Sequence, residues 1–233
     1  MNNLLVRRRI YIKLYNTRLL EYLPKIILPS ILSTIKMLLI TTMLSILIGL
    51  VLGVILVLSN PSGLKPNKAI FKVIDLFTNL IRSFPTLILI VALTPLTKII
   101  VGTSVGASAA IFPMTIVSIP FVIRMVENAL LGVDEHLIIA AKSFGASTFQ
   151  IVVRIMFVEA LPNLISSITM LTITILGTIT VAGAVGAGGL GTVALTYGYQ
   201  RFDDIMMYST VVILLAIVMI IQTIGRFIYN KIR

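Results

Sequence analysis

Few residues in this chain could do chemistry, and their placement narrows what that chemistry can be. His136 is the only histidine and there is no cysteine. A histidine-based metal cluster, a histidine relay and a thiol nucleophile therefore have nothing to stand on, and no catalytic or metal-ligating residue is assigned. The carboxylates are Glu21, Asp75, Glu127, Asp134, Glu135, Glu159, Asp203 and Asp204. None falls in the middle of a long apolar stretch, where an ion or proton relay would need one, and Asp203-Asp204 reads as a helix start. Gly186-x-Gly188-x-x-Gly191 has the spacing of a dinucleotide-binding loop, but such a loop needs a strand before it and a helix after, and a phosphate loop needs Lys where Thr192 stands. The glycines are read instead as close-packing points.

The composition says what kind of elements must position these residues. Of 233 residues, 58% are hydrophobic and 12% charged, against about 25% charged in ordinary soluble domains. Mean hydropathy is +1.09. A soluble globule of this size cannot hide so much apolar surface, so the chain belongs in a membrane. The net charge of +11 would suggest nucleic acid in a soluble protein, but the charges lie in short patches between long neutral runs, as in loops that meet lipid headgroups. No nucleic-acid partner is expected; membrane lipid is.

A spanning helix needs about 20 mainly apolar residues. Uncharged runs predict five: Ser30–Leu58, Ile74–Ile100, Ala107–Leu131, Pro162–Val185 and Met206–Ile228. Arg82 is expected near one end of the second, within reach of the headgroups. Pro85 should kink that helix, which makes Arg82, Ser83 and Pro85 gate or pathway candidates together with Gly183, Gly186, Gly188, Gly189 and Gly191. Past Gly183 the glycine density predicts a tight buried or cavity-lining loop. Residues 1–28 are expected to form a basic tail or a surface helix, and 29–233 a single transmembrane domain. Excess Lys and Arg in loops 59–73 and 132–159 and at the C-terminus places those segments in the cytoplasm, although the tail's own charge argues the other way.

The hydrophilic stretch 132–159 is more than a linker. Asp134 and Glu135 suit a helix start, Gly145 suits a helix end, and Ala140, Ala141, Phe144 and Gly145 fall at helical spacing, so one face would carry small residues beside a single protruding ring. A second helix is predicted from Thr148 to Phe157, leading into Glu159-Ala160-Leu161-Pro162. Arg124 and Glu127 are spaced to pair on one helix face, as a salt bridge or as a transmitter of loop motion.

Ala140-Ala141, three residues, Gly145, nine residues and Ile155 resemble the cytoplasmic signature E-A-A-x3-G-x9-I-x-L-P of permeases of binding-protein-dependent ABC importers. Ile81-Arg82-Ser83-Phe84-Pro85, Arg124-Met125-Val126-Glu127-Asn128-Ala129-Leu130, Glu159-Ala160-Leu161-Pro162 and Gly183 to Gly191 are similar to the methionine-uptake branch. The signature's Glu is Ile139 here, and its Leu-Pro is Phe157-Val158. The resemblance implies a type I ABC importer permease fold: all-α, integral to the bacterial cytoplasmic membrane, with five transmembrane helices and coupling helices between the third and fourth. It implies docking of two copies of an ABC ATPase subunit through Ala140, Ala141, Phe144, Gly145 and Ile155, with Arg124, Glu127, Glu159 and Pro162 as structural or transmitting residues. It also implies a second copy of the chain, and an extracytoplasmic substrate-binding protein or lipoprotein. No cofactor is expected on this chain, since ATP and Mg would be used by the partner ATPase. The implied solute is methionine, L or D, or a derivative; another small amino acid or zwitterion, or an ion-coupled carrier, is the alternative.

Overall fold

The computed structural model describes residues 21–232; residues 1–20 of the basic tail lie outside the described residues. Among those described, regular structure is helical, with no strand. Helix α1 runs Leu23–Ser59, beginning in the π-turn Leu23–Ile27, several residues before the expected Ser30. Next come α2 (Lys68–Ser83), α3 (Thr86–Ala92), α4 (Thr94–Val101) and α5 (Ala107–Leu131). The loop helix α6 is Glu135–Ser143, α7 is Thr148–Val185, α8 covers residues 189–200, and α9 is Asp204–Ile232.

At the centre α1 crosses α5. The face of α1 that meets α5 is made of small residues one turn apart, Ser45, Gly49 and Gly53, all buried. A Cβ on Gly49 would lie 2.5 Å from Val122 Cβ, and one on Gly53 2.8 Å from Val126 Cβ. Small residues at four-residue spacing let two backbones meet where lipid supplies no hydrophobic drive for helix association. Met37, Met114, Ile175 and Ile179 complete the buried core.

Among the described residues four helices are long and apolar enough to cross a membrane, or five if the bent pair of α2 and α3 makes one span. The expected single helix Ile74–Ile100 is not one rod. It breaks at Phe84-Pro85, where the axis turns by 105°, and again before Thr94. Pro85 has no N–H to continue the helix and its ring forces the preceding residue out of the helical region; Phe84 is accordingly extended, at φ −84° and ψ 139°. A proline in a sequence announces a lost hydrogen bond, and here the whole axis is redirected.

Two further expectations change. The second loop helix is not separate: Thr148 begins the same helix that crosses the membrane, with a π-turn at Val152–Met156 and Pro162 inside it. The segment after Gly188, expected as a loop, is helical, an α-turn Gly189–Thr192 extended by the π-helix Val193–Gln200. The helix start at Asp203 is as expected, its carboxylate accepting from the N–H groups of Ile205 and Met206.

Candidate functional site

Helix α2 wears two stripes. Lys68, Lys72, Asp75, Asn79 and Arg82 follow one another at three- and four-residue spacing on one face, while Ile70, Val73, Leu76 and Leu80 are exposed on another. In a membrane the apolar stripe meets lipid, so the polar stripe must meet protein or water. Part of it meets α5: Arg124 forms an ion pair with Asp75, donates from Nη2 to Asn79 Oδ1 at 2.8 Å, and donates from Nη1 to Glu127 Oε2 at 2.6 Å. Asn79 Nδ2 donates in turn to Asp75 Oδ2 at 3.1 Å. Arg124 thus holds two carboxylates and an amide, and the loss of Arg124 would leave both carboxylates without their cation.

The spacing of Arg124 and Glu127 foretold their pairing. Asp75 was not foreseen, because it lies 49 residues away in the chain; the available signal was its place on the polar stripe of α2.

Arg82 is the last cation of that stripe, and its position corrects an expectation. Its guanidinium lies over the Phe121 ring, 5.5 Å from the centroid. Phe121 is near the middle of α5, about 15 Å from the Leu131 end and about 21 Å from the Ala107 end at 1.5 Å per residue. Arg82 therefore lies beside the middle of α5 and not at either end of it. The reason is the break at Pro85: α2 ends there, and Arg82 sits at its tip. Ser83 is beside it, its hydroxyl donating to Asn79 O at 2.7 Å.

Arg82, Phe121, Arg124, Met125, Asn128 and Ala129 form one wall of an open cavity of about 520 Å³. The facing wall comes from α7: Asn163, Ser166, Ser167, Met170, Leu171 and Thr174. The uncharged run of residues 160–200 gave no reason to expect an ionic group on a path beside α7; the folded α2 supplies one from the other side.

At the far end of α5 stands an elbow, residues 132–151. Asp134 accepts from His136 N–H and starts α6; Gly145, at φ +78°, ends it, a backbone state that costs other residues strain. Ser147 and Gln150 cap α7 reciprocally. Ile138, Ala141 and Ala146 pack back onto the core, whereas Ala140 and Gly145 are exposed. Phe144 is 92% exposed and Phe149 76%. The elbow therefore presents two rings where the sequence suggested one, and Ala141 faces inward. Ile155 is half-buried at the π-turn, and Glu159 is exposed one turn further on.

A family model described as the binding-protein-dependent transport system inner membrane component matches residues 49–233. The chain belongs to this family. It is 46% identical over 178 residues to a probable D-methionine transport system permease protein MetI of Vibrio cholerae serotype O1, covering 76% of this chain and 79% of that one. It is 44% identical over 176 residues to the methionine import system permease protein MetP of Bacillus subtilis, with the same two coverages, 76% and 79%. Among solved structures, a chain of the MetNI methionine ABC transporter in inward-facing conformations superposes with a TM-score of 0.88 at 37% identity, covering 91% of this chain and 99% of that one. An amino acid ABC transporter at 17% identity, TM-score 0.76 and coverages of 92% and 97% shares the fold.

In this inner membrane component the glycine cluster lies apart from the cavity. Gly183 and Gly191 meet where the end of α7 crosses α8: a Cβ on Gly183 would lie 2.4 Å from Gly191 C, and one on Gly191 2.2 Å from Thr180 O. Leu190 N–H donates to Thr34 Oγ1 at 2.8 Å, tying α8 to α1. Gly186 accepts from Gly106 N–H at 2.9 Å at the start of α5. Gly188 and Gly189 have positive φ in the turn between. None of these glycines is among the residues that line the cavity.

Proposed function

We propose that the chain is the membrane-spanning permease subunit of an ATP-driven methionine importer, working as a homodimer. Two ATPase subunits would supply the energy, and an extracytoplasmic binding protein would deliver the solute. The single observation that carries the coupling is the elbow: two exposed phenylalanines at one end of a bundle, backed by Ala141 and Ala146 on the core. Exposed rings on a braced surface are what a partner pocket takes. Because α6 follows α5 after a short turn and α7 runs unbroken from Thr148 into the membrane, a push on the elbow reaches both walls of the cavity as a rigid-body tilt. No nucleotide site is assigned to this chain, and ATP and Mg belong to the ATPase.

Methionine as the solute is supported by the two permease relatives and the solved transporter. The cavity lining agrees with a small zwitterion that has an uncharged tail. The test is uptake of labelled methionine by cells with and without the gene, with unlabelled amino acids as competitors. The expected result is loss of uptake on deletion and recovery on complementation, with competition by unlabelled methionine. Undiminished methionine uptake in the deletion strain would reject the substrate.

A further inference from the structure

We propose that Arg82 is a halfway station for the carboxylate of the transported solute. This rests on the reading of the chain as an amino-acid permease.

The two arginines of the cavity differ in one respect. Arg124 is saturated by Asp75, Glu127 and Asn79. Arg82 forms no ion pair and no side-chain hydrogen bond with any described residue; its one recorded partner is the face of Phe121. An arginine beside the middle of a spanning helix without a counter-ion is costly, and such residues face water-filled paths and mark what passes along them. The Phe121 ring takes no N–H hydrogen bond of carboxylate strength, so the guanidinium N–H groups of Arg82, which donate to no described residue, are left for the two parallel hydrogen bonds that grip a carboxylate.

The rest of the cavity fits the rest of an amino acid. Met125 on the wall of the Phe121 ring, and Met170 and Leu171 on the facing wall, offer apolar surface, and thioethers and aromatic rings are good neighbours for a thioether tail. The side-chain oxygens of Asn128, Asn163 and Ser166 can accept from an ammonium group. A volume of about 520 Å³ is within the usual range for small-molecule sites, about 300–1,000 Å³. Anions without an apolar part would meet the same arginine but gain nothing from the apolar wall.

The deciding experiment uses the complete transporter, this chain with its ATPase, in lipid nanodiscs without nucleotide. Equilibrium binding is measured for labelled methionine and for methioninol, which has an alcohol in place of the carboxylate. The intact transporter should bind methionine about tenfold more tightly than methioninol, as expected for one charge-assisted pair. Arg82→Gln should bind the two alike, and Arg82→Lys, which keeps the charge without the fork, should give a reduced ratio. A ratio left unchanged by both substitutions overturns the proposal, as does an intact transporter that fails to distinguish the two ligands. If Arg82→Gln does not assemble, Arg82→Lys alone decides by the same criterion. Cellular uptake separates the two readings. Methionine uptake by a transporter whose ratio ignores Arg82 removes only the carboxylate station. Uptake of a different amino acid removes methionine as the substrate, and the ratio is then measured with that amino acid and its amino alcohol.

Discussion

The elbow and the cavity wall are opposites. The elbow puts Phe144 and Phe149 where polar residues would be expected, in the one long hydrophilic connection. The wall puts Arg82 and Arg124, the latter with its partners Asp75 and Glu127, where apolar residues would be expected, between α2 and α5. Each set is at odds with its surroundings, and each is held in place by unremarkable neighbours: caps and alanines behind the rings, a helix break and a small-residue crossing behind the charges. In a chain made mostly of lipid-facing apolar surface, the misfits carry the information. The rings ask for a protein partner, whereas the charges largely satisfy one another and leave one cation over.

That contrast can be broken from either side. The largest effect is expected at the wall. Arg124→Met leaves Asp75 and Glu127 without their cation and should lower bundle stability by about 3 kcal/mol or more, read as a fall in the thermal unfolding midpoint of the purified protein. Adding Asp75→Asn and Glu127→Gln should restore part of it, because no orphan charge remains. A triple variant no better than the single one would mean that the charges were never coupled. At the elbow, Gly145→Asp places a charge beside Phe144 and strains a left-handed position; the ATPase subunit recovered with the purified chain should fall about tenfold or more, as for loss of a buried hot spot, while the chain still inserts. Full recovery would move the docking surface elsewhere. The smallest effect is at the cap: Ser147→Ala removes the reciprocal bond with Gln150, costing about 1 kcal/mol. Faster amide hydrogen exchange across residues 148–151 should report it, with little change in the unfolding midpoint of the bundle.

The four unbroken spans were legible because lipid demands long uncharged runs, and α5 matches its expected limits at Ala107 and Leu131. Local signals also read correctly: Gly145 as a helix end, Asp134 and Asp203 as starts, Arg124 with Glu127 as neighbours. What escaped the sequence was tertiary. Pro85 announces a break but not its angle, so the sequence places Arg82 near the headgroups, whereas the redirected chain leaves it beside the middle of α5. Asp75 meets Arg124 only because α2 lies on α5. Phe149 is exposed in the same elbow as Phe144, on the far side of the turn at Gly145, and no helical spacing links the two rings. The helical form of residues 189–200 was hidden by glycines that read as helix breakers, yet serve as contact points against Thr34 and Thr180.

The central claim is that this chain is a gate moved by a separate motor. Liposomes containing the chain alone, and liposomes containing it with its ATPase subunit, binding protein and MgATP, should be given the same labelled methionine. The account predicts uphill accumulation only in the second set. Uphill accumulation by the chain alone, without nucleotide, would contradict it.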